Sequence, residues 1–300
     1  MKRILVTGSN GLLGQTLTDV ISASKRAELI ATSKGSNRFP VDLGYTYLDL
    51  DITNQNQLQM AIANSKPDVI INTAAITNVD ICHTNRSLCQ SVNVDAVEYL
   101  TEVCENQKIH LIHLSTDFVF DGVDGPYSED AKPNPISFYG ESKFKAEQII
   151  QGASCRWTII RTILVYGITA SMSRSNIVLW AKNALESGET INVVNDQRRM
   201  PTFIGDLAEA CLLVAEKGAT GIYHISGPEM MTVYELVCKV ADFWKLDKSL
   251  IRPISSTTLN QEAKRPLKTG FLLDKARNIL SYHPGSFNDG LEMIDKQLAE

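Results

Sequence analysis

The sequence predicts an α/β protein with a doubly wound parallel sheet and a smaller C-terminal α/β lobe. Short β-rich runs alternate with longer helical patterns over residues 1–165, which is typical of parallel strands joined by crossover helices. Several of these runs are apolar on both faces, as in a sheet that helices cover on each side. The alternation weakens after Tyr166 and Gly167, where we expect the smaller lobe to begin.

The elements follow in order along the chain. The candidate strands of the first half are residues 3–7, 28–32, 45–49, 69–72, 110–115 and 157–162. The candidate helices between them are residues 12–24, 55–65, 87–107 and 138–151. In the second half we expect helices at residues 175–187, 203–216 and 233–244, a strand at 221–225, and a final helix near 288–298 after a proline-interrupted loop.

These elements divide the chain into two parts. We expect residues 1–165 to form one domain, completed by return segments near residues 203–225. Residues 166–300 are expected to form mainly a second lobe that folds over the carboxyl edge of the sheet, which is the edge where ligands bind in open α/β sheets.

The composition is that of a folded protein rather than a disordered one. Of the 300 residues, 44% are hydrophobic and 21% are charged, and the mean hydropathy is -0.08. The net charge of -5 disfavours nucleic acid as a partner, because phosphate backbones call for clustered Lys and Arg. No run approaches the ~18 apolar residues that a membrane span needs, so we expect no membrane association.

The N-terminal apolar run and the cysteines point to the cytoplasm. The run ends in a glycine-rich turn without a cleavage-type site, so we expect no signal peptide. The six cysteines contain no CxxC pair, and reduced thiols in a cytoplasmic protein are the simplest interpretation. The five histidines lack metal-ligand spacing, so no metal site is expected.

A glycine-rich turn joins the first candidate strand to the first candidate helix. Such a turn lets the backbone approach a pyrophosphate, and the helix N-terminus supplies free N–H groups. The spacing is GxxGxxG rather than GxGxxG, but its place directly after an N-terminal strand favours a Rossmann-like dinucleotide site. The residues expected to contact the cofactor here are Gly8, Asn10, Gly11, Leu12, Leu13 and Gly14.

The loop after the second candidate strand indicates whether the dinucleotide is NAD or NADP. An Asp or Glu at that place would bond the ribose 2′-hydroxyl of NAD, whereas basic residues accommodate the 2′-phosphate of NADP. No acid occurs there, and Ser33, Lys34 and Arg38 do. We expect NADP(H) to be preferred, with NAD(H) possible if the two cations are merely solvated. Further cofactor contacts are expected at Asp51 and Ile52 for the adenine and at Ala74 and Ala75.

Tyr139 and Lys143 form the second signature. Residues four apart share a helix face, so the two side chains are expected to point the same way. A phenol has a reference pKa of about 10, and a neighbouring ammonium favours its ionised form. A helix with a surface lysine is the ordinary interpretation of YxxxK. The acid–base interpretation is favoured here because the preceding strand ends in Ser115 and Thr116.

Together these segments resemble the extended short-chain dehydrogenase/reductase family, and within it the dTDP-4-dehydrorhamnose reductases. The resemblance extends over nearly the whole chain, at residues 7–14, 72–80, 115–122, 139–143, 161–162, 196–197, 201–202 and 206–208. It implies that Thr116 bonds the substrate carbonyl oxygen, Tyr139 donates a proton and Lys143 tunes Tyr139. It also implies reduction by NADPH at C4 of a nucleotide-linked 4-keto sugar.

The resemblance further implies where the sugar nucleotide binds. The expected substrate contacts are Thr77, Val79, Thr116, Phe118, Leu164 and Arg199. The family usually has Tyr at the position of Phe118 and Trp at that of Leu164, and an indole would offer stacking area to the sugar. The related 4,6-dehydratases have Glu at the position of Phe118, so dehydration is disfavoured. Arg199 is either a diphosphate contact or a solvated loop cation.

Two other functions remain open at this point. A nucleotide-sugar 4-epimerase would use the same residues with a retained NAD. The regulatory subunit of methionine adenosyltransferase also resembles these reductases and acts as a binding partner. By resemblance, a homodimer is plausible, and Asn93 is a candidate for supporting the site from its helix.

Overall fold

A computed structural model describes residues 1–172, 175–259 and 262–299 of the chain. Its centre is a seven-stranded sheet in which every neighbouring pair of strands is parallel. In chain order, the strands of the protein are β1 Arg3–Thr7, β2 Glu28–Ser33, β3 Thr46–Asp49, β4 Val69–Asn72, β5 His110–Thr116, β6 Trp157–Thr162, β7 Val165–Tyr166, β8 Ile191–Val194, β9 Arg198–Arg199, β10 Thr202–Phe203, β11 Gly221–Ile225, β12 Met231–Thr232 and β13 Ile251–Ile254. The order across the central sheet is β11-β6-β5-β4-β1-β2-β3, which confirms the predicted doubly wound α/β fold.

Helices connect and cover these strands. They are α1 Leu12–Ser24, α2 Gln55–Ser65, α3 Val79–Thr84, α4 Arg86–Gln90, α5 Ala96–Gln107, α6 Phe138–Gln151, α7 Ile177–Glu186, α8 Ile204–Lys217, α9 Val233–Phe243 and α10 Phe287–Ala299. A π-helical turn at Ser91–Asp95 joins α4 to α5. None of the described helices combines the length and apolarity that crossing a membrane requires.

Two apolar layers lie on opposite faces of the sheet. Val6 packs in a cluster with Leu17 of α1, while its neighbour Leu5 packs in the other cluster with Leu100 of α5. All four side chains are fully buried, and each such burial contributes about 1.5–3 kcal/mol to folding. Because successive side chains of a strand point to opposite faces, this two-sided burial explains the apolar runs in the sequence.

The second half contributes to both parts of the molecule. α8 packs on α1, and β11 pairs in parallel with β6, so residues 204–225 return to the central sheet. α7, α9 and α10 bury a separate cluster around Val178, Leu236 and Leu291. β8 and β13 form a short parallel pair in this lobe. The sequence predicted only a proline-interrupted loop at the place of β13 and no strand at that of β8.

The predicted helix at residues 87–107 is helical throughout in the structure, but it contains an irregular turn. It consists of α4, the π-helical turn and α5 in continuous right-handed helical backbone, and the separate helix α3 precedes it. Asn78 starts α3 by accepting hydrogen bonds from the backbone of Asp80 and Ile81, each at 3.0 Å. Asn85 then caps α4 by accepting one from Leu88 N at 3.1 Å. Asparagine favours such caps over helix interiors, which explains why α3 and α4 are separate helices.

Candidate active site

The candidate site lies where β1, β4 and β5 end side by side. Thr7 pairs in register with Asn72, and Asn72 pairs with His113. Since the strands are parallel, the segments that follow them meet at one edge of the sheet. These segments carry the glycine turn, the alanines of residues 74–75, and Thr116 at the end of β5. In open α/β sheets, this carboxyl edge is where ligands bind.

The glycine turn has the backbone that a pyrophosphate site needs. Gly8 has φ +67°, and a Cβ there would lie 2.8 Å from Ala74 N. A Cβ on Gly14 would lie 2.3 Å from Gly8 O, so neither position accepts a side chain. Gly11 caps α1 without a side-chain hydrogen bond, which leaves the first-turn N–H groups of the helix to an anion. This turn therefore fits a dinucleotide.

The loop of residues 33–38 is tied to the glycine turn by Asn10. The Asn10 Nδ2 atom donates to Ser36 O at 2.9 Å, and its Oδ1 accepts from Arg38 N at 2.9 Å. Lys34 is exposed, and its Nζ lies 2.7 Å from Oδ2 of Asp51. Two predicted cofactor residues thus pair with each other. The pKa of Asp51 is lowered because its hydrogen bonds with Lys34 and Thr53 outweigh burial.

The remaining predicted cofactor residues lie along the same edge. Ser33 ends β2 and is half-buried, whereas Arg38 is exposed. Ile52 is largely buried and packs in the core beneath the edge. Ala74 and Ala75 are half-buried.

Tyr139 and Lys143 lie one turn apart near the start of α6. Ser137 caps this helix by accepting a hydrogen bond from Gly140 N at 3.2 Å. Both functional side chains are buried, Tyr139 at 8% and Lys143 at 2% exposure. Burial raises the pKa of Tyr139, and the nearby Thr116 side chain acts in the opposite direction. The structure thus places Tyr139 and Lys143 on a helix whose start packs against the segment after Thr116, while their catalytic roles stay a prediction.

Gly140 allows this approach between α6 and the end of β5. A Cβ on Gly140 would lie only 2.2 Å from the carbonyl oxygen of Phe118. Any side chain at this position would therefore push the helix away from the segment that carries Thr116. The Phe118 ring also contacts Tyr139, edge to face, with centroids 5.7 Å apart.

Lys143 is in contact with a buried histidine. Its Nζ atom lies 3.0 Å from Nε2 of His113. Burial lowers the pKa of Lys143 to about 8, and the nearby Glu147 carboxylate opposes this shift. His113 is completely buried, and its own pKa is held well below the usual value by burial and by Lys143.

Asn93 fixes the loop that follows β4. Its Oδ1 atom accepts a hydrogen bond from Ile76 N at 2.8 Å, and its Nδ2 donates to Ile76 O at 3.0 Å. The same Nδ2 atom lies 3.2 Å from Oγ of Ser142 on α6. One buried side chain thus links the loop of residues 73–78 to the helix of Tyr139 and Lys143.

Comparison with known proteins identifies the family. A profile of the RmlD substrate binding domain family matches residues 1–299. The chain belongs to this family. It is 31% identical to the dTDP-4-dehydrorhamnose reductase of Aggregatibacter actinomycetemcomitans, over 98% of each chain. It is 32% identical to methionine adenosyltransferase 2 subunit beta of Xenopus laevis, over 85% of this chain and 75% of that one.

The structure of this RmlD family member is similar to a solved reductase. It matches the dTDP-4-dehydrorhamnose reductase of Bacillus anthracis in complex with NADP with a TM-score of 0.86, at 26% identity and 99% coverage of both chains. Family and relatives together confirm the resemblance noted in the sequence and the assignment to the NAD(P)-dependent oxidoreductases.

The predicted substrate residues of the RmlD family member differ from one another in exposure and packing. Thr77 is exposed and Val79 half-buried at the start of α3. Leu164 packs between two apolar clusters and has φ +40°, a backbone conformation that costs a leucine about 1–2 kcal/mol. Strain of this kind often occurs at functional sites.

Arg199 is buried rather than solvated. Its Nη2 atom donates to Pro266 O at 2.7 Å, and its Nη1 donates to Arg198 O at 2.8 Å. The guanidinium also lies over the Phe118 ring, 5.9 Å from the centroid. These contacts link Arg199 to the ring that touches Tyr139, while its role as a substrate contact stays a prediction.

Sequence reasoning missed several polar residues at the site. Asp117 is buried, accepts a hydrogen bond from Thr269 at 2.5 Å, and has a pKa raised by burial against the opposing charge of Arg199. His113 was not singled out either. The signal that could have found His113 is a polar residue between apolar neighbours in a buried central strand, which needs a partner. Among the described residues, no group of His, Cys, Asp and Glu could hold a metal ion.

Proposed function

We propose that the protein is an NADPH-dependent reductase of a nucleotide-linked 4-keto sugar, acting as a dTDP-4-dehydrorhamnose reductase does in dTDP-L-rhamnose biosynthesis. The observation that carries the proposal is the close packing of the start of α6, which carries Tyr139 and Lys143, against the segment that follows Thr116 at the end of β5. This packing occurs at the carboxyl edge beside the glycine turn, in a chain of the RmlD family.

Each of the three side chains has a distinct task. Thr116 donates a hydrogen bond to the substrate carbonyl oxygen and orients it. Tyr139 donates its phenolic proton to that oxygen as negative charge develops there, and its raised pKa keeps the proton in place until then. Lys143 favours ionisation of Tyr139 through its positive charge. The cofactor, when bound, supplies the hydride.

The cofactor contacts follow from the glycine turn and the adjacent loop. The first-turn N–H groups of α1, which no side chain caps, would hold the pyrophosphate. Lys34, which lies against Asp51, and Arg38 would hold the 2′-phosphate. The residues proposed to bind NADPH are Gly8, Asn10, Gly11, Leu12, Leu13, Gly14, Ser33, Lys34, Arg38, Asp51, Ile52, Ala74, Ala75, Tyr139 and Lys143.

The sugar nucleotide is proposed to lie between the two parts of the chain. Residues 1–165 with the return segments bind the cofactor, and residues 166–300 mainly bind the substrate. The residues proposed to contact the substrate are Thr77, Val79, Thr116, Phe118, Leu164 and Arg199. The proposal also includes a cytoplasmic location and a homodimer in solution. Sedimentation equilibrium measures the mass of the protein in solution and so tests the homodimer.

The deciding experiment is NADPH oxidation with dTDP-4-keto-6-deoxy-L-mannose, prepared in situ from dTDP-glucose. We expect rapid oxidation with NADPH, slower oxidation with NADH, and loss of about 10²-fold or more in Tyr139→Phe. The matched control is Tyr99→Phe, at a half-buried position on α5, which should retain full activity. Full activity of Tyr139→Phe would refute the mechanism.

The likeness to methionine adenosyltransferase 2 subunit beta supports a second candidate function. In this case the chain is a non-catalytic subunit that binds a methionine adenosyltransferase. Absence of turnover with any sugar nucleotide, together with a stable complex between the purified chain and such a transferase, would favour this function. A 4-epimerase would instead release stoichiometric NAD on denaturation.

A further inference from the structure

Four buried polar side chains form a continuous row beneath the candidate active site. Thr7 Oγ1 lies 2.6 Å from Asn72 Oδ1, Asn72 Nδ2 lies 3.0 Å from His113 Nδ1, and His113 Nε2 lies 3.0 Å from Lys143 Nζ. Thr7, Asn72 and His113 are at most 1% exposed, and Lys143 is 2% exposed. We call these residues the polar row. It connects the residue before the glycine turn to the lysine beside Tyr139.

The polar row is a product of strand register. Thr7 and Asn72 are paired neighbours on β1 and β4, and Asn72 and His113 are paired neighbours on β4 and β5. Paired residues of parallel strands project to the same face of a sheet, so the three side chains lie side by side. Lys143 reaches the end of the row from α6. The sheet thus holds the imidazole in a fixed place against the lysine.

The numbers of hydrogen-bond donors and acceptors on these side chains restrict how the polar row is bonded. An ammonium has three donors and no acceptor, and a neutral imidazole has one donor and one acceptor. A charged Lys143 therefore needs His113 Nε2 as acceptor, which puts the ring proton on Nδ1. That N–H then needs the amide oxygen of Asn72 opposite it. This bonding requires the Asn72 amide to be turned by 180°, so that its oxygen and not its nitrogen faces Nδ1. The oxygen and nitrogen of such an amide are assigned from hydrogen bonding, and the Thr7 hydroxyl bonds either one.

We propose that His113 is the positioning residue of Lys143, accepting a hydrogen bond from its ammonium at Nε2 while Asn72 holds the imidazole in the Nδ1–H form. The alternative arrangement, with the proton on Nε2, leaves Lys143 as a neutral amine. A neutral amine would not favour ionisation of Tyr139. The consequence for turnover rests on the proposed reductase function, whereas the hydrogen bonding does not.

The surroundings of Lys143 explain why this acceptor matters. The groups that face it are Glu147 from its own helix, the thiols of Cys82 and Cys89 from α3 and α4, and His113 from β5. Burial is the largest influence and lowers the pKa of Lys143 to about 8. Since this value is close to neutrality, loss of a single acceptor would leave much of Lys143 uncharged.

The tautomer of His113 provides a test that does not depend on activity. Nitrogen NMR of protein labelled with ¹⁵N-histidine distinguishes the protonated ring nitrogen from the unprotonated one, and His113→Gln identifies the resonances. At pH 7 we expect Nδ1 to carry the proton and Nε2 to be the acceptor. A proton on Nε2, or on both nitrogens, would overturn the proposal.

The pH dependence of turnover provides the second test. In His113→Leu, the alkaline fall of kcat/KM should move to lower pH by about one unit, with KM for NADPH little changed. In His113→Gln, the side-chain amide oxygen replaces Nε2 as an acceptor. The alkaline fall of kcat/KM should therefore stay at the same pH as in the wild type. The control is His110→Leu, because His110 is a buried histidine on the same strand that bonds Thr158 instead.

An unmoved alkaline fall in His113→Leu would overturn the proposal, as would an equal shift in His110→Leu. If the protein turns over no sugar nucleotide, the proposed function fails, and the positioning role is then tested by NMR titration of the Lys143 Nζ group. A lower Lys143 pKa in His113→Leu than in His113→Gln supports the role, and equal pKa values overturn it.

Discussion

Asn10 and Arg38 are joined directly although 28 residues separate them in the chain. Asn10 Oδ1 accepts the hydrogen bond of Arg38 N at 2.9 Å, and Asn10 Nδ2 donates to Ser36 O at 2.9 Å. Asn10 itself is buried inside the glycine turn. The turn proposed to hold the pyrophosphate therefore also sets the place of the loop proposed to hold the 2′-phosphate.

Replacement of Asn10 by alanine should weaken NADPH binding selectively. The variant loses both bonds to the loop, each worth about 0.5–1.5 kcal/mol, so the loop must be ordered on binding. We expect the Kd of NADPH to rise about tenfold and that of NADH to change much less, because NADH has no 2′-phosphate. Titration of cofactor fluorescence measures both constants.

The control for this prediction is Asn64→Ala, at an exposed position on α2. It should leave both dissociation constants unchanged. Equal losses for NADPH and NADH in Asn10→Ala would contradict the link between this residue and the 2′-phosphate loop.

Lys143→Met should abolish turnover and stabilise the fold at neutral pH. The pKa of Lys143 is about 8 in the folded protein, below its value of about 10.4 in an unfolded chain. The unfolded state therefore binds more protons between these values, and the wild-type free energy of unfolding rises with pH across that range. Removing the buried charge should raise the free energy of unfolding at pH 7 by about 1–2 kcal/mol.

Urea denaturation at pH 7 and pH 10 tests this prediction. The advantage of Lys143→Met over the wild type should shrink at the higher pH, where the folded wild type no longer carries the charge. Lys145→Met is the matched control, since Lys145 is exposed two residues along the same helix. A less stable Lys143→Met protein at pH 7 would show that this ammonium is fully compensated.

The first half of the fold was predictable because its signals are local. The bounds of α1, α2 and α6 agree with the sequence prediction, since each helix has a clear periodic run between turn residues. Tyr139 and Lys143 were found for the same reason, being four residues apart on one helix.

The parts that the sequence did not reveal depend on contacts between distant segments. His113 reaches Lys143 only because α6 packs on β5, and it reaches Asn72 only because β4 and β5 pair in a particular register. β13 contains Pro253 and was predicted as loop, but it pairs with the short β8 alone, and proline is tolerated on such edge strands. None of these relationships leaves a periodic pattern in the chain.

Gly140→Ala should reduce both activity and stability. Its Cβ would lie 2.2 Å from Phe118 O, so α6 must shift away from Thr116. We expect a loss of about 1–3 kcal/mol in the free energy of unfolding and of about 10²-fold in kcat. Gly152→Ala is the matched control at the other end of α6, where a Cβ meets nothing closer than 3.5 Å. An active, fully stable Gly140→Ala would refute the close approach.

The protein should lose stability between pH 6.5 and pH 5 because three histidines are buried without charge. Burial lowers the pKa of His110 to about 4 and those of His113 and His224 well below the usual value. In the unfolded chain each imidazole has a pKa of about 6.5. As the pH falls below this value, the unfolded state takes up protons that the folded state does not, so stability present above pH 6.5 is lost.

The free energy of unfolding should fall with decreasing pH by up to about 1.4 kcal/mol per pH unit for each histidine, or by about 4 kcal/mol per pH unit for all three. Urea denaturation at quarter-unit intervals of pH measures it, and most carboxylates remain ionised in this range. His110→Leu should reduce the slope by about one third whatever its effect on absolute stability, because one proton is removed from the balance. A slope that stays the same in this variant would mean that His110 is protonated equally in the folded and unfolded states.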